Sequence, residues 1–437
     1  MQKRTLSVGL MLFALFFGAG NLIFPPALGQ SAGEMVWQSM VGFFITGVGL
    51  PLLGVIALAR TGGGLQTLTE RVNPLFGSVF ATILYLAIGP FFGIPRTGTV
   101  SYEMAVVPFL PESMNNGLTL FLFTVVFFTV TYWLSLNPSK LVDRIGNILT
   151  PLLLLIIVSL LVKAVITPVG KLGTASPDYA SNPLIKGFMD GYLTMDTLGA
   201  LAFGIVVITA VKRPEMKKEQ VTKMVIKAGL ISATCLAAVY GILAYLGATS
   251  QALGQTDNGG QILTNVVAEL FGPFGNVLLG LAVALACLTT SVGLVTACGE
   301  FAKKMFPNVS YKTVVLIMSV FSAGVANLGL TQLISVSVPV LTAIYPIAIV
   351  LILLSFLHDL FSGRKEVYIG GIVATALVSI ADGLKAFGIK LGAIEQIYSY
   401  IPLYADGIGW LIPAIIGSVV GFIIAVIRGR IVIFSTN

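Results

Sequence analysis

The sequence predicts an all-α integral membrane protein of about twelve transmembrane helices, and three observations carry that expectation. Hydrophobic residues make up 56% of the 437 and charged residues 10%, against about a quarter charged in soluble chains. Apolar stretches of the roughly 20 residues needed to cross a bilayer recur from one end to the other. They fall into two groups of five followed by two. Five is odd, so the second group must enter the membrane in the opposite orientation to the first, as an inverted repeat requires. Direct similarity between the halves is not visible, so this evidence is positional. Residues 1–437 then form one membrane domain, with 5–167 as the first repeat, 187–357 as the second and 367–428 as two additional helices. No hydrophilic stretch is long enough to fold as a separate soluble domain.

The first span, about 5–30, opens like a secretory signal peptide, with Met1-Gln-Lys-Arg before an apolar run. Asn21 to Pro26 extends the hydrophobic segment and eleven further spans follow, so it reads as a membrane helix. That helix breaks itself: Gly18, Ala19, Gly20 and Asn21 interrupt a run from Ala14 to Pro26. Glycine weakens a helix by about 1 kcal/mol relative to alanine, so the backbone is expected to unwind across this quartet. Unwound backbone at membrane depth is tolerated only where it lines a cavity.

Spans two to five are expected at about 36–59, 78–105, 117–136 and 145–167. The third carries Gly89-Pro-Phe-Phe-Gly-Ile-Pro-Arg96, a second expected kink. An outer connection rich in Pro, Gly, Ser and Asp, 168–186, leads to the sixth span, 187–211. There Asp196, Thr197 and Gly199 interrupt an apolar setting. Breaks at corresponding positions of two halves are the sequence pointer to a transporter's substrate site. The inner segment 212–223, charged with both signs, reads as a solvated helical linker. After the seventh span, 224–248, Gln261 to Phe271 has helical spacing and reads as a short helix over the outer mouth, a candidate gate. The last spans are expected at about 276–302, 312–330, 332–357, 367–384 and 408–428.

The net charge of +7 is a topology signal rather than a nucleic-acid signal. Lys3, Arg4, Arg60, Arg71, Lys140 and Arg144 fall on one side of the expected membrane. So do Lys212, Arg213, Lys217, Lys218, Lys223, Lys303, Lys304, Lys312, Arg364, Lys365, Arg428 and Arg430. Lys163, Lys171, Lys186, Lys385 and Lys390 fall on the other. The positive-inside rule then places both termini in the cytoplasm. Cys235, Cys287 and Cys298 all lie in apolar segments and read as packing residues. His358 is the single histidine and sits where a span meets a loop, so a histidine-ligated metal centre is not expected.

Three constellations carry chemistry. An unwound helix offers N–H groups at the start of its second half and C=O groups at the end of its first, each reinforced by the helix dipole. A zwitterionic amino acid needs both. The bland alternative is that Gly18 and Gly20 only let helices pack closely. Thr289-Thr290-Ser291 in the eighth span offers hard oxygens suited to Na⁺, and carbonyls freed near Ala14 and Phe17 complete the expected cage. The alternative is that these hydroxyls bond the preceding turn. The intramembrane ionisable residues Arg96, Glu103, Asp190, Asp196 and Glu300 are functional candidates by default. Structural pairing suits Glu103 and Glu300, while Asp196 lies within the second break. A proton carrier using Asp196 or Glu300 is the rival within transport. A membrane enzyme using Asp190 and Asp196 is the remote rival, although six residues place them on different helix faces. With no P-loop, metal-ligand cluster or nucleophile elbow, an enzyme is not expected.

Phe17-Gly-Ala-Gly-Asn-Leu-Ile-Phe-Pro-Pro26, Gly89-Pro-Phe-Phe-Gly-Ile-Pro-Arg-Thr97 and Asp190-Gly-Tyr-Leu-Thr-Met-Asp196 together resemble the bacterial branched-chain amino acid:cation symporter family. The resemblance covers essentially the whole chain. It implies the five-plus-five inverted repeat of the amino acid–polyamine–organocation superfamily, similar to the leucine transporter, with helices 1 and 6 broken. It also implies import of leucine, isoleucine and valine across the bacterial cytoplasmic membrane, coupled to Na⁺ or in some members to H⁺. Neither a cofactor beyond the coupling ion nor an obligate protein partner is implied. Gly18, Ala19 and Gly20 resemble the segment that holds the substrate carboxylate, and Asn21 a position that helps hold a cation beside the substrate in some fold relatives. Thr197, Leu198 and Gly199 resemble the sixth-span half of the site, with Phe203 as an aromatic lid or wall. Thr289, Thr290 and the Ala286 carbonyl resemble the fold's common sodium site, with Ser291 as the substitute if the register shifts by one. Asp196 departs from the amino acid-binding relatives. One methylene in an apolar pocket discriminates by about 1–3 kcal/mol, so group specificity is the expected outcome.

Overall fold

Glycine and proline decide where the helices of this chain stop. The computed structural model describes residues 2–137, 150–212, 215–256 and 258–428. Nineteen α-helices occur among them, and no strand. In the first half these are α1 (Gln2–Phe16), α2 (Ala19–Ala32), α3 (Val36–Phe44), α4 (Leu50–Thr61), α5 (Leu65–Thr69), α6 (Pro74–Leu86), α7 (Gly93–Ala105), α8 (Gly117–Ser135) and α9 (Thr150–Ile166). The second half holds α10 (Pro177–Ser181), α11 (Pro183–Asp190), α12 (Asp196–Val211), α13 (Lys218–Thr249), α14 (Gly259–Met305), α15 (Tyr311–Ala326) and α16 (Leu330–Phe356). α17 (Lys365–Ala386), α18 (Ala393–Tyr398) and α19 (Leu411–Ile427) complete the chain.

Among the described residues, seven helical runs are long and apolar enough to cross a membrane, and three shorter apolar helices accompany them. The 43-residue run Ala19–Thr61 measures about 65 Å at 1.5 Å per residue, twice a hydrocarbon core of about 30 Å. Gly33, at φ 50°, turns the chain back within it. Gly272, at φ 63°, divides the run Gly259–Met305 in the same way. Paired across their breaks, α1–α2, α3–α4, α6–α7 and α11–α12 match four expected spans. α8, α9, α13, α14, α15, α16, α17 and α19 match the other eight. The protein is a multi-pass membrane protein.

Three expectations need correction. The first span does not unwind across Gly18 to Asn21: the break is Phe17–Gly18, and Ala19, Gly20 and Asn21 form the first turn of α2. In the sixth span the break is Met195, at φ 67°, with Asp196, Thr197 and Gly199 starting α12 behind it. Once Gly18 and Met195 have turned the chain, helical hydrogen bonding resumes at once. The segment 212–223 is not a separate linker helix, because helix begins at Lys218 and runs on as the seventh span. Gln261–Phe271 does form a helix, the part of α14 before Gly272. Lys140, Arg144, Arg213, Arg430 and the first residues of the fifth span lie outside the described residues.

Small residues bring the site-bearing helices together. Lipid is as apolar as leucine, so membrane helices associate through close packing and hydrogen bonds. A Cβ on Gly29 of α2 would meet the Ala244 carbonyl of α13, and one on Gly247 would meet the Pro26 carbonyl. Likewise Gly42 of α3 lies against the Leu184 carbonyl of α11, and Gly187 against the Ser39 carbonyl. The outer halves of both broken helices are thereby clamped to neighbours.

Candidate functional site

Helices 1 and 6 break beside each other. α1 ends at Phe16, Gly18 is extended (φ −126°, ψ −154°), and α2 starts at Ala19. The Asn21 side-chain oxygen accepts the Gly18 N–H at 3.1 Å, fixing the turn. Opposite it, a 3₁₀ turn over Gly191–Thr194 closes the outer half of helix 6 before Met195 reverses φ. Two helix ends therefore present carbonyls here, and two present N–H groups.

The third span supplies what lies between them. A π-helical stretch, Ala87–Phe91, holds Gly89 in a non-helical conformation beside Pro90, and α7 begins at Gly93. This kink carries Arg96 inward, where it is 5% exposed. Its Nη1 donates to the Leu193 carbonyl at 2.9 Å and its Nη2 to the Thr194 carbonyl at 3.3 Å. A cation thus caps the C-terminal end of the outer half-helix, where the dipole favours it. Phe24 stacks its ring 5.3 Å from the guanidinium carbon. A Cβ on Gly20 would fall 2.7 Å from Nη2, so only glycine leaves room for this side chain.

Around these groups lies a cavity lined by Gly18, Ala19, Gly20 and Asn21 from helix 1 and by Thr194, Met195, Asp196, Gly199 and Phe203 from helix 6. Arg96 and Thr97 add polar wall, while Leu15, Phe16, Ile88 and Leu294 add apolar wall. Asp196 accepts hydrogen bonds at Oδ2 from Asn21 Nδ2 (2.6 Å) and from the Tyr240 hydroxyl (2.7 Å), and Asn21 also donates to that hydroxyl.

Below the break, oxygens converge. The Thr289 hydroxyl reaches the carbonyls of Ala14 (3.2 Å) and Ala286 (2.9 Å). The Thr290 hydroxyl reaches those of Ala14 (3.3 Å) and Leu15 (3.2 Å). Gly18 makes this approach possible, since a Cβ there would lie 2.6 Å from Thr290 Oγ1.

The structure thus brings together Gly18, Ala19, Gly20, Asn21, Asp196, Gly199 and Phe203 at the cavity, and Ala14, Ala286, Thr289 and Thr290 at the oxygen cluster. Others stand elsewhere. Thr197 is buried behind the cavity, its N–H bonded to the Tyr345 hydroxyl and its hydroxyl to the Thr46 carbonyl. Leu198 is fully buried and not part of the lining. Ser291 accepts from Thr131 of α8 rather than joining Thr289 and Thr290. The Leu15 carbonyl, not that of Phe17, meets Thr290. Asp190 is bound to Tyr179 and Lys186, and Glu103 receives Asn258. Glu300 is exposed, one turn from Lys303 and Lys304. Sequence reasoning left Tyr240, Thr97, Ile88 and Leu294 unassigned. A tyrosine hydroxyl in an apolar span is a signal for Tyr240, shared with Tyr245 of the same span; the apolar residues carry none.

Known proteins resemble the chain over its whole length. The profile of a family described as branched-chain amino acid transport protein matches residues 1–428. Similar sequences include the branched-chain amino acid permease BraB of Bacillus subtilis, 51% identical over 98% of this chain and 96% of that one. The branched-chain amino acid transport system 2 carrier protein of Pseudomonas aeruginosa is 49% identical over 97% of both. The permease BrnQ of Escherichia coli is 42% identical over 100% of this chain and 99% of its own. Among solved structures, the nucleobase-cation-symport-1 family transporter Mhp1 aligns with a TM-score of 0.60 at 16% identity, covering 93% of this chain and 95% of that one. MhsT in complex with L-phenylalanine aligns with a TM-score of 0.57 at 16% identity, covering 97% and 98%. At such identities the likeness concerns the fold, the five-plus-five arrangement with helices 1 and 6 broken.

Proposed function

This chain belongs to the branched-chain amino acid transport protein family, and from that premise we propose that it imports leucine, isoleucine and valine in symport with Na⁺. It is a transporter of branched-chain amino acids and not an enzyme. The membrane is a bacterial cytoplasmic membrane with both termini inside, and the two five-helix repeats alternate access to one central site.

The observation that carries the Na⁺ assignment is the oxygen cluster of Thr289, Thr290, Ala14, Leu15 and Ala286. These are uncharged hard donors at the C-terminal end of a half-helix, where carbonyls and the negative dipole end suit Na⁺. Each hydroxyl keeps a lone pair for the ion while its proton serves a carbonyl. The substrate lies above, between the N–H groups that open α2 and the start of α12. Na⁺ bound against Ala14 and Leu15 stabilises the end of α1 just before the Phe17–Gly18 turn, and that turn shapes the substrate cavity. One Na⁺ moving through 100 mV supplies about 2.3 kcal/mol, roughly fifty-fold accumulation.

A second reading, proton coupling, rests on Asp196, the one carboxylate among the described residues that line the cavity. Uptake of labelled leucine into proteoliposomes separates the two, with a Na⁺ gradient or a pH gradient imposed separately on wild type and Thr290→Ala. Na⁺-driven accumulation lost in the variant supports the cage. Uptake driven only by protons sinks the Na⁺ assignment.

A further inference from the structure

Two opposite charges share the cavity without pairing. Arg96 and Asp196 both line it, and they are 5% and 3% exposed. Among the described residues, however, no ion pair joins them. In a membrane interior two such charges are expected to neutralise each other directly. Here the scaffold holds each one separately. Asp196 is fixed from α2 and α13, with Asn21 and Tyr240 both donating to the same oxygen, Oδ2. Arg96 is fixed by two carbonyls of the outer half of helix 6 and by the face of Phe24. Two of its five donors reach those carbonyls, and its buried Nε has no hydrogen-bond partner. Gly20, whose missing Cβ leaves space for Nη2, keeps the guanidinium against the N-terminal turn of α2.

We propose that this split charge pair reads the two ends of a free α-amino acid, Arg96 taking the α-carboxylate and Asp196 the α-ammonium. The inference rests on the amino acid symport reading and specifies the chemistry that its substrate site demands. The carboxylate binds where the Arg96 donors meet the N–H groups of Ala19 and Gly20, so one anion satisfies a side chain and a helix start together. The ammonium binds Asp196, which the two donors on Oδ2 hold oriented. The zwitterion completes a circuit that the protein leaves open. Its side chain is left to Phe16, Ile88, Phe203 and Leu294. An arginine present only to cap the outer half of helix 6 would need no opposed carboxylate and no glycine beside its Nη2.

The test is a set of affinity ratios on the purified full-length protein in Na⁺ buffer, by displacement of labelled leucine. The competitors are leucine, leucinol, which lacks the carboxylate, and 4-methylpentanoate, which lacks the ammonium. In wild type leucine binds at least a hundredfold tighter than either. In Arg96→Gln the advantage over leucinol falls at least tenfold while that over 4-methylpentanoate persists. Asp196→Asn gives the mirror result. Each ratio is read within one variant, so it does not depend on how much of that variant folds. If Arg96→Gln binds too weakly to read, Arg96→Lys, which keeps the charge and loses the fork, must still lower the leucinol ratio severalfold. An unchanged leucinol ratio in the Arg96 variant, or an unchanged 4-methylpentanoate ratio in Asp196→Asn, overturns the proposal. Wild type that binds leucinol as well as leucine overturns it too. Failure of wild type to bind leucine at all strikes instead at the symport reading beneath it.

Discussion

Thr197 on α12 donates its hydroxyl to the carbonyl of Thr46, 3.1 Å away in the π-helical stretch Ile45–Gly49 of the second span. Its N–H donates to the Tyr345 hydroxyl of α16 at the same distance. Spans two and ten therefore pin the first turn of the inner half-helix from two sides, and Asp196 next door inherits its position. π-helical turns inside α-helices recur at functional sites, and this one presents a carbonyl that a regular turn would keep for itself. Replacing Thr197 by Val keeps the shape and removes the donor, leaving a buried carbonyl short of a partner. The expected loss is about 1–2 kcal/mol of stability. It should be read as a lower Tm of the detergent-solubilised protein. A Tm equal to wild type would show that the bond contributes nothing.

Gly18 lines the cavity and also abuts Thr290 of the oxygen cluster. A methyl group there would lie 2.6 Å from Thr290 Oγ1 and 2.8 Å from its Cγ2. Thr290 has to rotate or α1 has to shift, and either moves an oxygen away from the Ala14 and Leu15 carbonyls. Gly18→Ala should raise the Na⁺ concentration for half-maximal leucine binding about tenfold or more, the loss of one good ligand at about 1.4 kcal/mol per decade. At saturating Na⁺ the leucine affinity should recover most of its value. A Na⁺ titration superimposable on wild type would count against the cage.

Asn21 and Tyr240 donate to one carboxylate oxygen and also bond each other. Groups in one buried network couple, by about 0.5–3 kcal/mol in double-mutant cycles. Tyr240→Phe removes one donor from Asp196. Asn21→Ala removes the other together with the acceptor for the Gly18 N–H, so it should cost more leucine affinity. The double variant should cost clearly less than the sum of the two. Strict additivity in a leucine-binding cycle would mean that the three residues do not act as a unit.

Much of this architecture is legible in the sequence because membrane crossing is a matter of length and polarity. The breaks were found through glycine and proline, but their positions were off by one to three residues. Phe17–Gly18 and Met195 carry the turns, and a left-handed methionine has no sequence signature. The oxygen cluster was readable as a run of hydroxyl residues, yet Ser291 and Thr290 differ only in which helix face they occupy. Nothing in one dimension shows that α8 receives the former. Arg96 stood out as an intramembrane charge. Its place between the two broken helices depends on the Gly89 kink and on the close crossings at Gly29, Gly42, Gly187 and Gly247, which are three-dimensional facts.

On the proposed reading the apolar end of the cavity selects among side chains. Phe203 is 2% exposed, and its ring lies 6.1 Å from that of Phe16. Gly199 and Gly293 press against the ring: a Cβ at either would come within 3.5 Å of it. The ring thus occupies space left by a glycine on its own helix and one on α14, and on the proposed reading it serves as a fixed wall. Leucine, isoleucine and valine differ by at most one methylene, worth about 1–3 kcal/mol, so such a wall accepts all three. Phe203→Ala removes the wall and leaves the two glycines facing open space. Phenylalanine should then compete for labelled leucine uptake where it does not in wild type. Valine should lose affinity by about 1–2 kcal/mol, since the smallest side chain gives up contacts and gains none. If the variant excludes phenylalanine as wild type does, Phe203 does not bound the side-chain pocket, and Ile88 and Leu294 become the residues to change next.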